Sequence, residues 1–277
     1  MALQLITPPT AEPMDLAEAK LHLREVTSDQ DTFVAAALSA AREFAENFTR
    51  KQLVNARWKQ VMDAFPSGVI SGVPFARPPN AIYLDRGPVT QVVSIQYLDM
   101  EGVEQTADPA TYTVDYSSDP VRITPVFGQI WPIPMPQIGA VWVTFDAGYA
   151  APITADKNAS TIAVNGLPPF QVGDAVRFSN SGGALPAPLK PLTGYTIASV
   201  ASPGVYTLKD STGAAVALTD TGSGTSYLGE VPDGIKAWMK LRMGTLDSSR
   251  DEPSVPMTAP GMGFADRLLD GYRTFEF

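Results

Sequence analysis

Apolar positions change their period twice along this chain. Phe33, Ala36, Ala37, Ala40, Ala41, Phe44 and Phe48 recur at steps of three and four, which predicts one apolar face of a helix from about Asp29 to Thr49. Arg42, Glu43, Glu46 and Asn47 fall on its other side. The alanines make this helix slim, so a neighbouring element can approach closely. Ahead of it, Leu16 to Leu23 predicts a shorter helix. Asp15 supplies its N-cap, and Glu18 sits where a capping box places its acid. Asp29 and Asp31 suit the positive N-terminal end of the longer helix.

From Trp58 to Tyr149 the period falls towards two. Ala56–Met62, Val92–Leu98, Thr111–Val114 and Ala140–Phe145 read as strands, with Asp99-Met100-Glu101-Gly102 as a hairpin turn. Prolines from Pro66 to Pro136 cut the region into short antiparallel pieces, since proline cannot lie mid-sheet. A small sandwich or open barrel with long loops is expected. From Ala151 to about Gly229 the composition shifts to Gly, Ser, Thr, Ala and Pro. There Thr161–Val164, Ala175–Phe178, Tyr195–Val200 and Val205–Leu208 predict a further all-β module.

Helical spacing then returns with Pro232, Ile235, Trp238, Met239, Arg242, Met243 and Leu246, where Pro232 suits a helix start. A linker spans Arg250–Pro256. A last short helix, from Phe264 to about Tyr272, gathers Phe264, Leu268, Leu269 and Tyr272 on one side, and Phe275 and Phe277 follow. The fold class expected is α+β: N-terminal helices packed with a small antiparallel β core and C-terminal helices, plus an inserted all-β domain.

Charge sharpens this picture. The chain has a net charge of -9, which repels nucleic acid at long range. Residues 151–229 hold four acids, Asp156, Asp174, Asp210 and Asp220, and four bases, Lys157, Arg177, Lys190 and Lys209. That segment is neutral, so the remainder carries the whole excess. With no cysteine and the single histidine His22, disulfide scaffolds, thiolate metal sites, cysteine nucleophiles and multi-histidine sites are excluded. No apolar run approaches the roughly 20 residues that span a bilayer. Met1–Pro9 lacks the basic start and long apolar core of a signal peptide. The expectation is a chain made and kept soluble in the cytoplasm, without a membrane partner.

Candidate chemistry is sparse. His22 has no nucleophile signature nearby and reads as a surface or capping residue. Asp99 with Glu101, and Asp251 with Glu252, are acid pairs of the kind glycosidases use, but both lie in turn or linker sequence. Gly222-Ser223-Gly224-Thr225-Ser226 lacks the lysine of a phosphate loop and reads as a flexible turn. Asp210 and Asp220 do not make an EF-hand loop. Trp131, Trp142 and Tyr149 read as packing residues. No catalytic residue, metal or cofactor is expected.

Several pieces in order carry a resemblance. They are the two N-terminal helices, Arg50-Lys51-Gln52-Leu53, Trp58, Asp63-Ala64-Phe65-Pro66, Trp131-Pro132 and Val141 to Tyr149, with Val231-Pro232-Asp233-Gly234-Ile235-Lys236 further on. This order resembles the head–tail connector (adaptor, or head completion) proteins of long-tailed bacteriophages. In that family a helix leads straight out of the Ala-Gly-Tyr strand end, here Ala147-Gly148-Tyr149. The neutral module interrupts that join. Residues 1–150 and 230–277, about 200 of the 277, therefore read as one discontinuous connector domain, and 151–229 as an insertion. The inserted stretch itself resembles a small β domain of phage structural proteins, through Val172–Val176, Ala184-Leu185-Pro186, Gly194-Tyr195 and Tyr206-Thr207-Leu208.

The resemblance implies a non-enzymatic virion protein at the head–tail neck. It implies a homo-oligomeric ring, usually of about twelve copies, whose repeated contact joins two different faces of each subunit. The ring would sit beneath the portal protein, receive a downstream neck, stopper or tail protein, and let DNA pass through its lumen without specific binding. Phe33, Ala37, Ala40 and Phe44 are candidates for the contact between subunits. Phe264, Leu268, Leu269, Tyr272, Phe275 and Phe277 are candidates for a portal or neck contact. The alternative is a host- or carbohydrate-binding structural protein acting through the module, whose aromatic residues are Phe170, Phe178, Tyr195, Tyr206 and Tyr227. A cell-wall hydrolase would need an acid pair or metal site that the sequence does not offer.

Overall fold

The computed structural model describes the chain except residues 26, 69–79, 165–169, 192, 249–262 and 275–277. Among the described residues, four helices and three antiparallel sheets make the α+β fold that the sequence leads one to expect. The chain divides into two units, residues 1–8 with 56–148, and residues 9–55 with 149–277.

The first unit is all-β. Strands β1 (Ala2–Thr7), β2 (Ala56–Met62), β3 (Ile82–Tyr83), β4 (Val89–Leu98), β5 (Glu104–Thr106), β6 (Tyr112–Asp115), β7 (Arg122–Pro125) and β8 (Val141–Ala147) form it. The five-stranded sheet has the order β1-β2-β8-β4-β5, and the three-stranded sheet the order β3-β7-β6. Ile95, Val143 and Phe145 of the larger sheet meet Ile82 and Ile123 of the smaller in one buried cluster, which gives the two-sheet core. The outer face of the larger sheet is polar. There Arg57 holds the buried Asp146 through two hydrogen bonds of 2.7 and 2.9 Å, and Lys59 lies 4.4 Å from the centroid of the Trp142 ring. The Asp99 turn forms as read: Gly102 donates its N–H to the Asp99 carbonyl and has φ +77°, a conformation glycine adopts without strain.

The second unit joins helices to a seven-stranded sheet. Its helices are α1 (Leu16–Leu23), α2 (Asp31–Thr49), α3 (Asp233–Ser248) and α4 (Gly263–Asp270). Its strands are β9 (Ala150–Asp156), β10 (Thr161–Val164), β11 (Ala175–Val176), β12 (Phe178–Ser181), β13 (Tyr195–Ser202), β14 (Val205–Lys209) and β15 (Thr225–Gly229), in the order β11-β13-β14-β10-β9-β15-β12. The division thus groups residues 151–229 with the helices.

The reason lies in β9 and β15, where the 151–229 stretch enters and leaves. They pair antiparallel, Leu228 opposite Ala151 and Gly229 opposite Ala150. Because side chains alternate along a strand, Ala150 and Tyr227 join the helical core with Val34, Ala41, Trp238 and Met239. Their neighbours Ala151 and Leu228 join the module core with Phe178, Ile197 and Tyr206. This strand pair is one wall with a hydrophobic core on each face. Sequence patterning misses both strands, because β9 opens Ala-Ala-Pro and β15 begins inside the glycine-rich run read as a turn.

Helix α2 buries a different face from the one expected. Val34, Ala37, Leu38, Ala41 and Ala45 are buried, while Ala36, Ala40 and Phe44 are exposed. With alanine on all sides, helical spacing alone does not choose between neighbouring stripes. Arg42 and Glu46, placed on the solvent side by the sequence, are buried too. Arg42 pairs with Glu12 at 2.7 Å and with Glu46 at 3.0 Å. Glu46 also accepts hydrogen bonds from the Gln52 side chain at 2.7 Å and the Leu53 N–H at 3.1 Å. Burial works against the Arg42 charge, but the Glu46 and Glu12 carboxylates outweigh it and raise the guanidinium pKa above its ordinary value. This network fastens the segment around Glu12 and the chain after the α2 C-terminus to the same face of α2.

Replacing Glu46 by alanine leaves Arg42 without its buried counter-charge and the Leu53 N–H without an acceptor. The expected outcome is a loss of about 3–5 kcal/mol in urea unfolding. A loss below about 1 kcal/mol would show that the network behaves as a surface ion pair.

Candidate interaction surfaces

No group of three or more His, Cys, Asp or Glu side chains able to hold a metal ion occurs among the described residues. Of the two acid pairs, Asp99 with Glu101 lies among the described residues. Asp99 is spent on its own turn: its carboxylate accepts from the Gln105 side chain and the Val103 and Glu101 N–H groups, which together hold its pKa below the usual range. Asp251 and Glu252 lie outside the described residues. His22 is exposed in the last turn of α1. Trp131 and Tyr149 pack against the β core and the helical core respectively. What the structure offers is surfaces.

The first is the α2–α3 face. Phe44, 41% exposed, stacks on the buried Trp238 at 5.2 Å and on Phe48 at 6.1 Å. The Arg242 guanidinium lies 5.2 Å from the Phe44 ring and that of Arg273 lies 5.0 Å from Phe48, both within cation–π range. Of the residues proposed for subunit contact, Ala40 and Phe44 are exposed, Phe33 is half-buried and Ala37 belongs to the core.

The C-terminal candidates separate in the same way. Leu269 is fully buried among α2 and α3 residues. Tyr272 packs beside it over Gly234, where a Cβ would come within 2.8 Å of the phenol oxygen. The Thr274 N–H donates to the Thr49 carbonyl at 3.1 Å. Leu268 points outwards, 36% exposed. Phe264 lies in the first turn of α4, and Phe275 and Phe277 lie outside the described residues.

A third surface had no sequence prediction. From Ile123 to Phe145 the chain carries no charge, and within that run Phe127, Ile130, Ile133 and Ile138 are each at least 76% exposed. The loop is pinned. Trp131 stacks flat on Phe65 at 4.9 Å and donates from Nε1 to the Asn80 carbonyl at 2.7 Å. The N–H groups of Val126, Met135 and Gly139 donate to Thr111, Leu98 and Asp63. A held loop with large apolar side chains in water is what a docking surface requires. Its sequence signal was the missing charge, masked by prolines that read only as strand breakers.

Where α1 meets the sheet of its own unit, Asp15 caps the helix by accepting from the Ala17 N–H at 2.8 Å. Glu18 closes no capping box. It takes the Ser181 hydroxyl at 2.6 Å and Lys240 at 2.8 Å, while the Asp15 N–H donates to Ser181 Oγ. Tyr227 donates to the Glu12 carbonyl, and burial pushes its phenol pKa up. Gly182 is required here, since a Cβ would sit 2.3 Å from the Asp15 carboxyl carbon. Burial pushes the Glu18 carboxyl up, but Lys240 and Ser181 outweigh it and the net shift is downwards.

No protein-family model matches this chain, and no curated protein matches it. Solved structures do. A chain in the virion of a native gene transfer agent (GTA) particle matches with TM-score 0.53 and 17% identity. A chain in the neck of an empty GTA particle computed with C6 symmetry matches with TM-score 0.55 and 16% identity. A chain in the neck of a native GTA particle computed with C12 symmetry matches with TM-score 0.50 and 16% identity. Each match covers 100% of this chain and 97% of the other. At these identities the likeness is one of fold.

Two outcomes follow from these surfaces. Leu269→Ala should lower stability by about 2–5 kcal/mol, whereas Leu268→Asp should stay within about 0.5 kcal/mol, both read by urea unfolding; equal effects would refute the packing of α4. Glu18 has a folded pKa below its ordinary value of 4.5, so the stability it contributes is complete above that value and is lost as pH falls through the folded one. From about pH 6 to about pH 3, Glu18→Gln should therefore lose less stability than the unaltered chain. Equal losses would sink that assignment.

Proposed function

We propose that this chain is a structural, non-enzymatic subunit of the neck of a phage-like particle. It forms a homo-oligomeric ring between the portal protein and a downstream neck, stopper or tail protein, with DNA passing through the lumen. The observation that carries this reading is a likeness of fold along the whole chain to neck chains of GTA particles, together with the connector-like order of sequence pieces. The rotational symmetries of those necks, C6 and C12, support a ring of identical copies. The net charge of -9 suits a channel protein, because phosphate capture by Lys and Arg would hold passing DNA.

Residues 151–229 read, in this proposal, as an insertion into the parent connector chain, with its two ends held side by side by the β9–β15 pairing. The carbohydrate-binding alternative finds little support. Phe178, Tyr195, Tyr206 and Tyr227 are buried and Phe170 is half-buried, so the module's aromatic residues do not form an exposed sugar-stacking platform. The ring proposal gives roles to Ala40, Phe44 and Leu268, which remain on the surface, and to the loop bearing Phe127.

A cryo-electron-microscopy reconstruction of the particle neck tests the reading. The expected result is a closed ring of this chain between portal and tail. Finding it at a fibre tip, or absent from the particle, would overturn it.

A further inference from the structure

A ring built by rotation repeats one contact between two different faces of the same subunit. The five-stranded sheet of the first unit carries two such faces. Its outermost strands are β1 and β5, and neither outer edge is paired among the described residues. Strand β1, Ala-Leu-Gln-Leu-Ile-Thr, has six residues with no charge, proline or glycine, and five of the six are exposed. Leu5 and Ile6 are 46% and 50% exposed. Edges of this kind are normally blunted by charge, proline, brevity or a covering element. Three of the other four sheet edges show such protection: β3 and β11 are two residues long, and Ser181 of β12 is engaged by Asp15 and Glu18.

Strand β5 is the second face, and all three of its residues are exposed. The Ala107 N–H donates to the Ile95 carbonyl and the Asp99 N–H to the Val103 carbonyl, which fixes the inward-facing side of that strand. By alternation, the N–H and C=O groups of Glu104 and Thr106 face away from β4. Direction agrees as well. Every neighbouring pair across the sheet is antiparallel, so β1 and β5, four steps apart, run the same way. A rotation that brings sheets edge to edge preserves direction and sets β5 of one copy parallel to β1 of the next. Charge permits the approach: copies with net charge -9 repel, but β1 is neutral and the one acid of β5, Glu104, is engaged by Gln96.

We propose that β1 of one copy pairs in parallel with β5 of the next, so that five-stranded sheets from successive subunits join in a continuous belt. The occupant of the β1 edge is a second copy of this chain. The inference rests on the ring reading above and names its contact. Main-chain hydrogen bonds supply the join, and the exposed side chains of Leu5 and Ile6 accompany them.

The chain has no cysteine, so introduced thiols report without background. Particles carrying the doubly substituted Leu5→Cys, Gln105→Cys chain are treated with a short thiol-to-thiol crosslinker, and the denatured products are sized. The expected result is a ladder of linked species above the dimer, with each single variant remaining monomeric. Dimers from Leu5→Cys alone would mean twofold β1–β1 pairing and overturn the proposal. An intact neck ring, seen by microscopy, without linked species would overturn it while leaving the neck reading standing. Absence of the chain from the neck would overturn that reading itself. A second variant, Thr106→Pro, removes an N–H that faces away from β4. It should abolish the ladder in the doubly substituted background while the unfolding midpoint of the isolated chain stays unchanged. A persisting ladder would count against the belt.

Discussion

The second unit depends on one strand pair being wet on neither face. β9 and β15 hydrogen-bond to each other and have a hydrophobic core on each side, the helices against Ala150 and Tyr227 and the module against Ala151 and Leu228. A strand buried on both faces satisfies its polar backbone through its ladder, so it tolerates little slippage: a shift of one residue would exchange the two cores. Gly229 shows how tight the arrangement is, since a Cβ there would meet the Tyr149 carbonyl oxygen at 2.3 Å. A stretch that sequence composition marks as a separate module is thereby built into the wall of the helical core.

Buried polarity does the complementary work of choosing among apolar options. The alanine-rich α2 could turn several stripes inwards, and hydrophobicity discriminates weakly between them. Arg42 and Glu46 remove the ambiguity, because each needs partners that exist on one side only: Glu12 in the segment before α1, and Gln52 and Leu53 in the segment after α2. A buried ion pair adds little net stability over an apolar substitute, but it penalises wrong arrangements heavily. Ser181, Glu18 and Lys240 play the same part where α1 meets the sheet. With these side chains turned inwards, Ala40, Phe44 and Leu268 are left on the surface.

Much of the fold was legible in the chain. Strands β2, β4, β6, β8, β10, β13 and β14 and helices α1, α2 and α3 coincide closely with patterned runs, because each buries one face and the burial period is written in residue order. The Asp99 turn was legible because its acid and glycine act locally. Strands β1, β3, β5, β9 and β15 were not. They are very short, or lie at an edge with both faces exposed, or are buried on both faces, and none of these conditions produces alternation.

The sequence by itself determined the α+β class, the order of helical and β segments, the neutrality of residues 151–229 and the absence of cysteine chemistry. These follow from local periodicity and composition, which need no knowledge of what lies across the core. The tertiary structure alone decided which stripe of α2 is inside, that Leu269 is buried while Leu268 is not, and that the module shares a unit with the helices. It also decided that β1 and β5 end one sheet with their edges open. Those choices are set by partners distant in sequence, Glu12 for Arg42, Ser181 for Glu18 and Ala151 for Leu228, and a local pattern carries no information about a partner it does not contain.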